Sequence, residues 1–441
     1  VRILIIGAGQ VGSSIAENLS ESHKVVIMDI DPVRVSDLSY SYDVLAICGD
    51  GNNIKNLEEV GKIDLFLACT NDDEKNLIAC ESSKMIGDAF TVARVKNSVL
   101  FESWSRSKGS FGVDFMACSD RLISEAIIKI TGTPAALDAD YFADGKIQMA
   151  EFEINPNSFI SNKTVLEADQ FELLTFAAII TESEIIIPTG STMILPGHRI
   201  VVIGTPESVK SFSTQLEPTT KKTQNIVLIG GSSIIAETAS LFSSIKVNTT
   251  LITSGKDASL ELAKKLPNTM VMCHDISDIR FLEAENINQS DLVVVHLSSD
   301  EKTLLISLLI KQLGVRRIVS IVNSGSYVSL FENVGIDVAV NPRELISEAI
   351  IGFTHQVNTE HIALLDSNRV ELLEVEIGSD SNISGKTIQE ISSSMPNLVL
   401  IGAIVRDEQA IAPRGDTTIK YGDHIVILTD VSVLDKVLQQ L

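Results

Sequence analysis

The chain has 441 residues, 44% of them hydrophobic and 21% charged. That is ample core material but too long for one core, since single cores rarely grow past ~250–300 residues. With 35 Lys and Arg against 58 Asp and Glu, the net charge of −23 argues against binding of duplex nucleic acid, and only a local basic face such as Lys221 and Lys222 escapes that argument.

The first residues, Arg2 to Ile6, form an apolar β-branched run that reads as a strand buried on both faces. Because a strand begins there, no export signal is expected. Gly7-Ala8-Gly9-Gln10-Val11-Gly12 follows, and Val11, Ile15, Ala16 and Leu19 recur at helical spacing. A second strand over 24–28 closes on Asp29. Strand, glycine turn, helix, strand and acid in that order match the dinucleotide fingerprint. The first glycine permits the tight turn, and the second lets backbone N–H groups approach a pyrophosphate. The third lets helix and strand pack closely, and the helix N-terminus favours the anion. Asp29 is placed to bind a free ribose and would repel a 2′-phosphate, so NAD(H) or another adenine nucleotide is favoured over NADP.

A helix is expected over 33–40, and a third strand over 45–48 ends in Gly49-Asp50-Gly51-Asn52-Asn53. Asp50 there is either a ligand contact at the carboxyl end of a parallel strand or part of a plain turn with Asn53 capping the next helix. A strand over 65–69 leads into Thr70-Asn71-Asp72-Asp73-Glu74-Lys75-Asn76 and a helix over 76–86 with acids before its first turn. A fifth strand over 89–93 puts Arg94 at its end, where a guanidinium either grips phosphate bidentately or makes a surface ion pair with an acid such as Asp73. A sixth strand over 113–117 and a helix over 121–131 complete the unit. Gly132-Thr133-Pro134 breaks the alternation, and 135–142 reads as a connecting helix or crossover. From Gln148 to Leu216 short strands and turns alternate, as in a small α+β domain. Its longest apolar run, 173–188, is too short for a bilayer span and is broken by Thr181, Glu182, Ser183 and Glu184.

After a polar linker over 217–224 the chain starts again at Asn225, with Gly230-Gly231-Ser232-Ser233-Ile234-Ile235 in place of the glycine turn. Gly7 and Gly230 are 223 residues apart, Asp50 and Asp275 are 225 apart, and Pro188 and Pro413 are 225 apart. The chain is an internal duplication, expected as an α/β fold of two Rossmann-like parallel-sheet domains (1–135 and 225–356), each followed by a small α+β domain (136–218 and 357–441). The halves differ chemically: Ser232 stands at the Gly9 position, Ile235 at Gly12, Thr253 at Asp29 and Ile321 at Arg94. Losing one charge-assisted hydrogen bond costs about 1.5–3 kcal/mol, so one good nucleotide site is expected, in the first half.

Five cysteines without a Cys-x-x-Cys pair read as reduced thiols of a cytoplasmic protein. His355 and His361 are six apart and do not share a helical face, so no metal site is expected. Neither small domain carries an acid–base constellation of the kind a hydride-transfer enzyme holds over nicotinamide. Regulation by nucleotide therefore fits better than an NAD-dependent oxidoreductase; a soluble sensor without a membrane partner shares most of the same features.

The glycine turn with Asp29, the Asp50 loop, the 70–76 segment, Ala93-Arg94-Val95 and the tandem order of large and small domains resemble the TrkA family. These are the cytosolic regulatory subunits of prokaryotic Trk potassium uptake systems, built from tandem domains that regulate potassium conductance. The resemblance covers essentially the whole chain. It implies a non-enzymatic peripheral protein on the inner face of the membrane that binds NAD(H), or ATP and ADP. It also implies a homodimer supplying a ring of four units to a membrane-embedded potassium-translocating subunit. Carried over by position, the ligand contacts are Gly7, Gly9, Gln10, Val11, Gly12, Asp29, Asp50, Thr70 and Arg94.

Overall fold

The computed structural model describes residues 1–441 except 21–22, 108–109, 134, 182–183, 217–223, 355–360, 366–369, 379–380, 396–398, 431–432, 434–436 and 438–441. Pro134, Glu182, Ser183, Lys221, Lys222, nearly all of the linker and His355 lie outside the described residues.

The first half opens with β1 (Arg2–Ile6), α1 (Gln10–Ser20), β2 (Lys24–Asp29), α2 (Pro32–Ser41), β3 (Leu45–Cys48) and α3 (Ile54–Val60). It continues through β4 (Leu65–Ala68), α4 (Asp73–Ile86), β5 (Phe90–Val95), α5 (Ser98–Ser107), β6 (Phe115–Cys118) and α6 (Ser119–Gly132). The strands form one parallel sheet in the order β3-β2-β1-β4-β5-β6. Leu4, Ile5, Ile27, Phe66, Leu67 and Val92 are fully buried, which is why these strands read as continuous apolar runs. The connections turn back between β1 and β4, the switch point at which such sheets bind ligands. Helix starts follow their caps: Asp31 accepts from Val33 N ahead of Pro32, Asn53 from Lys55 N, and Asp72 from Lys75 N. The Asp72 cap starts α4 three residues earlier than the sequence pattern suggests. β6 and α6 are also shifted by about two residues from expectation, and α5 was not anticipated.

The stretch expected as a connecting helix or crossover is instead a strand, β7 (Ala136–Phe142), paired antiparallel with β8 (Ile147–Glu153). Its buried residues Ala136, Ala139 and Phe142 recur every three positions, and the register shifts between Ala136 and Asp138. A bulge disturbs the two-residue alternation, so the sequence imitates helical spacing. The small domain continues with β9 (Lys163–Thr164), α7 (Val165–Ala168), β10 (Leu174–Ile180), β11 (Ile185–Ile186), β12 (Met193–Ile194), β13 (Arg199–Gly204) and α8 (Pro206–Leu216). Its five-stranded sheet runs β11-β10-β13-β8-β7. Phe212 of α8 meets Phe152, Phe159, Phe171 and Phe176 edge-on at centroid distances of 5.3–5.9 Å.

The second half repeats the plan. Its large domain comprises β14 (Asn225–Ile229), α9 (Ser233–Ser244), β15 (Asn248–Thr253), α10 (Lys256–Lys265), β16 (Met270–Cys273) and α11 (Ile279–Ala284). Then come β17 (Leu292–Val295), α12 (Asp300–Gln312), β18 (Ile318–Ile321), α13 (Val328–Asn333), β19 (Val338–Val340) and α14 (Pro342–Thr354). The parallel order β16-β15-β14-β17-β18-β19 copies the first sheet. The second small domain has β20 (His361–Leu365), β21 (Val370–Glu376), α15 (Ile388–Ser394), β22 (Val399–Arg406), β23 (Gln409–Ile411) and β24 (His424–Asp430). Capping boxes recur too: Thr164 with Glu167 starts α7, and Thr387 with Glu390 starts α15.

The chain forms two compact units, and each gathers like with like. One comprises Val1–Ile127 and Gln224–Ile351, which carry the two parallel sheets; the other comprises Ile128–Thr223 and Gly352–Leu441, which carry the two antiparallel sheets. Inside the first unit α6 meets α9: Ser124 Oγ and Thr238 Oγ1 are 2.9 Å apart in buried surroundings, and Arg121 pairs with Glu237 at 3.5 Å. Inside the second, one apolar cluster joins both sheets, with Phe142, Met149, Val201 and Ile203 against Leu372, Ala403, Val405, Val426 and Leu428. Each of the larger buried side chains among them contributes about 1.5–3 kcal/mol. Among the described residues no helix is long and apolar enough to cross a membrane.

Candidate nucleotide site

The glycine turn sits at the switch point of the first sheet. Gly7 leaves β1 at φ +102°, a conformation L side chains rarely adopt. A Cβ on Gly12 would lie 1.9 Å from the Gly7 carbonyl oxygen, so only glycine lets α1 approach this closely. A Cβ on Gly9 would meet nothing within 4 Å. Gly9 is therefore glycine for neither strain nor packing, and it borders open space. Among the described residues no side chain accepts from the first-turn amides of Gln10, Val11 and Gly12, which leaves these N–H groups for an anion. Gln10 itself is exposed and Val11 is buried against the sheet.

Asp29, at the end of β2, accepts from Ala8 N through Oδ2 at 2.6 Å and from Asp31 N through Oδ1 at 2.9 Å. The carboxylate thus braces the glycine turn, and each oxygen keeps a lone pair for ribose hydroxyls. Asp50 is exposed, and its Oδ1 accepts from Asn52 N at 3.0 Å. Asp275 makes the same turn with Ser277 N at 2.9 Å, so local turn chemistry accounts for the recurrence of this acid in both halves. The neighbouring Asn52 was not singled out by sequence, yet its Oδ1 is a buried acceptor without a partner. The same loop closes over the end of β1, since a Cβ on Gly51 would strike Ile6.

Thr70 and Arg94 are tied together by Asn76. Its side chain, fully buried, accepts from Thr70 N (2.9 Å) and donates to Thr70 O (3.1 Å) and Arg94 O (2.7 Å). Thr70 Oγ1 also lies 2.6 Å from Asn76 Oδ1. Sequence spacing could not mark Asn76 as a clamp, because its partners are 6 and 18 residues away. Arg94 lies within β5, not beyond its end, and is only 8% exposed, which corrects the expectation of a surface ion pair with Asp73. Asp73 instead accepts from the backbone N–H groups of Lys96 and Asn97. The Arg94 guanidinium donates through Nη1 to Thr70 O at 3.4 Å and Asn71 Oδ1 at 3.3 Å, both long, and its buried Nε has no acceptor. Burial lowers its pKa; the nearby Cys69 and Asp73 offset this, and Arg343 adds to the lowering. A buried, underbonded guanidinium at the switch point suits a phosphate ligand. The Cys69 thiol beside it is pushed up to about 12 by burial and is unreactive as a thiolate.

In the second half the same places are closed. Strand registers make Thr253 the counterpart of Asp29 and Ile321 that of Arg94. Ser232, at the Gly9 position, caps α9 by accepting from Ile235 N, and its Oγ lies 2.8 Å from His296 Nδ1. Burial lowers the His296 pKa, partly offset by a hydrogen bond with Asn323 and by the Asp300 charge. Asp300 in turn holds Asn323 through its N and Nδ2, at 2.8 and 3.0 Å. Polar groups that would face a pyrophosphate are satisfied by one another.

The TrkA-N domain model matches residues 3–107 and 226–342, and the TrkA-C domain model matches 149–216 and 372–441. The chain is 34% identical over 446 residues to the Trk system potassium uptake protein TrkA homolog 1 of Methanosarcina mazei, covering 99% of each. It is 28% identical to the Trk system potassium uptake protein TrkA of Haemophilus influenzae, covering 97% of this chain and 95% of that one. Among solved structures, the GsuK channel bound to NAD superposes with a TM-score of 0.63 at 17% identity, over 100% of this chain and 78% of that one. The GsuK structure bound to ADP gives 0.51 at 13% identity, over 80% and 69%. Domain models over both halves and full-length identity to curated relatives agree with the duplicated fold: the chain belongs to the TrkA family of potassium uptake proteins, which regulate rather than catalyse.

Proposed function

We propose that this protein senses NAD(H), or ATP and ADP, at the first-half switch point and thereby gates a membrane-embedded potassium-translocating subunit of Trk type. The observation that carries this reading is the asymmetry of two sites on one duplicated scaffold: open space at Gly9 and a buried, underbonded Arg94 in one, a self-satisfied Ser232–His296–Asn323 network in the other. Proposed contacts are the amides around Gly7, Gly9, Gln10, Val11 and Gly12, the ribose-facing Asp29, Thr70 and Arg94, with Asp50 at the rim. A ligand bound in one half of a duplicated unit shifts a conformational equilibrium through its differential affinity for two states. The chain would act as a homodimer supplying four large domains to a ring at the inner membrane face, because duplication builds pseudo-symmetric rings directly. The test is potassium flux through a Trk-type membrane subunit reconstituted in vesicles with this protein. Flux is expected to respond to added nucleotide with the wild type and not with Gly9→Ala. Equal flux with and without nucleotide, or no association with the membrane subunit, would refute the gating role.

A further inference from the structure

The two small domains each bury one carboxylate at the same place in the duplicated sheet. Glu151 on β8 is 4% exposed and pairs with Val201 of β13, while Glu374 on β21 is 5% exposed and pairs with Val426 of β24. Val201 and Val426, like Arg199 and His424, are separated by the same 225 residues as Gly197 and Gly422, which makes the two acids counterparts. In the first copy a permanent cation meets the acid: Arg199 Nη1 donates to Glu151 Oε1 at 2.7 Å. In the second copy that strand position holds His424, charged only when protonated, and its Nδ1 stays 3.7 Å from Glu374 Oε1.

His424 and Glu374 both line a cavity of about 580 Å³ inside the second compact unit. Its other walls include the β7–β8 turn, with Asp144 and Lys146, and the β22–β23 turn, with Asp407 and Glu408. Both small domains shape it: Glu374 Oε2 accepts from Ala143 N at 2.9 Å, and Lys146 Nζ reaches Glu408 Oε2 at 2.5 Å. Four carboxylates face one ammonium and one histidine, so the lining is negative and repels anions. A carboxylate has about four acceptor sites, so Glu374 can take a charged donor from the cavity beside the partners it already has. Among the described residues no group of three or more His, Cys, Asp and Glu is arranged for a metal ion. The cation for which the fold itself shows a precedent is organic, the guanidinium on Glu151.

We infer that the cavity binds a small organic polycation, whose guanidinium or ammonium group sits on Glu374 as the Arg199 side chain sits on Glu151 in the first copy. The acids of the two turns receive its remaining positive charge. Because the walls come from both small domains, the bound cation touches both and ties them together.

Calorimetric titration of the full chain with agmatine and spermidine, in the absence of nucleotide and with butanediol and magnesium chloride as controls, tests it. The wild type should bind both polycations and not the diol, and magnesium should not displace them. Glu374→Gln should weaken both about tenfold or more. His424→Arg rebuilds the pair of the first copy, and it should abolish binding while the unfolding midpoint stays or rises, which separates lost binding from lost folding. Wild-type affinity in either variant would overturn the inference, as would no binding by the wild type at millimolar concentration. Displacement of spermidine by an equal concentration of magnesium would also overturn it, because that marks diffuse attraction to an acidic surface.

Discussion

Gly9 and Gly12 are both glycines of one motif, yet the structure assigns them different work, and two alanine substitutions separate the roles. At Gly12 an added Cβ lies 1.9 Å from Gly7 O, where ordinary contact begins at 3.4 Å, so α1 must retreat by about 1.5 Å. Overpacking of that size costs about 1–3 kcal/mol, and the helix-propensity gain from Gly to Ala, up to about 1 kcal/mol, does not offset it. At Gly9 the methyl meets no protein atom, and its backbone lies outside the left-handed region. Stability should change by less than about 1 kcal/mol, from cap preference and chain entropy of opposite sign. The methyl instead enters the space where first-turn amides would meet pyrophosphate. Losing one charge-assisted hydrogen bond costs about 1.5–3 kcal/mol, roughly ten- to more than a hundredfold in affinity. Urea denaturation and NADH calorimetry on both variants measure the two effects. Gly9→Ala should melt like the wild type and bind poorly, while Gly12→Ala should be the less stable protein. The reasoning fails if Gly9→Ala binds NADH normally, or if it is destabilised as much as Gly12→Ala.

Three further outcomes follow from the same geometry. Arg94→Leu should abolish nucleotide binding while leaving the unfolding midpoint unchanged or higher, since it removes a buried donor without an acceptor and the second half already carries Ile321 there; a large stability loss would show that Arg94 is structural. Asn76→Ala should cost about 2–4 kcal/mol, because Thr70 N and Arg94 O lose their partner, and should speed hydrogen exchange at the Thr70 amide; exchange at the wild-type rate would contradict the clamp. The His296 imidazole is held below its ordinary value of 6.5 by burial, so the unfolded chain takes up a proton that the folded one resists. Its contribution to stability is complete above that pH and is lost progressively as pH falls below it. His296→Gln should therefore lose less stability than the wild type between pH 7.5 and 5.5; an identical loss would rule out a neutral buried ring.

Much of this protein is written in its local sequence. Strands announce themselves as apolar, β-branched runs, and those over Arg2–Ile6, Leu45–Cys48 and Leu174–Ile180 fall where their patterns place them. The glycine turn, Asp29 and the repeat offset also depend on residues close in sequence or on simple recurrence. Where several weak local signals compete, sequence misleads. The bulged strand Ala136–Phe142 shows helical spacing, and Arg94 lies inside β5 because pairing with Ala117 of β6 extends the strand past it.

The sequence by itself determined that the chain is a duplicated α/β protein, that its first half carries a nucleotide fingerprint and that its second half has lost one. Those features need only short-range sterics, periodicity and recurrence. The tertiary structure decided that the two large domains share one compact unit and the two small domains another. It also decided that Asn76 joins Thr70 to Arg94 and that His296 meets Ser232 of the second turn. Each of these rests on contacts between residues far apart in sequence, set by burial and charge compensation that appear only when the sheets are assembled.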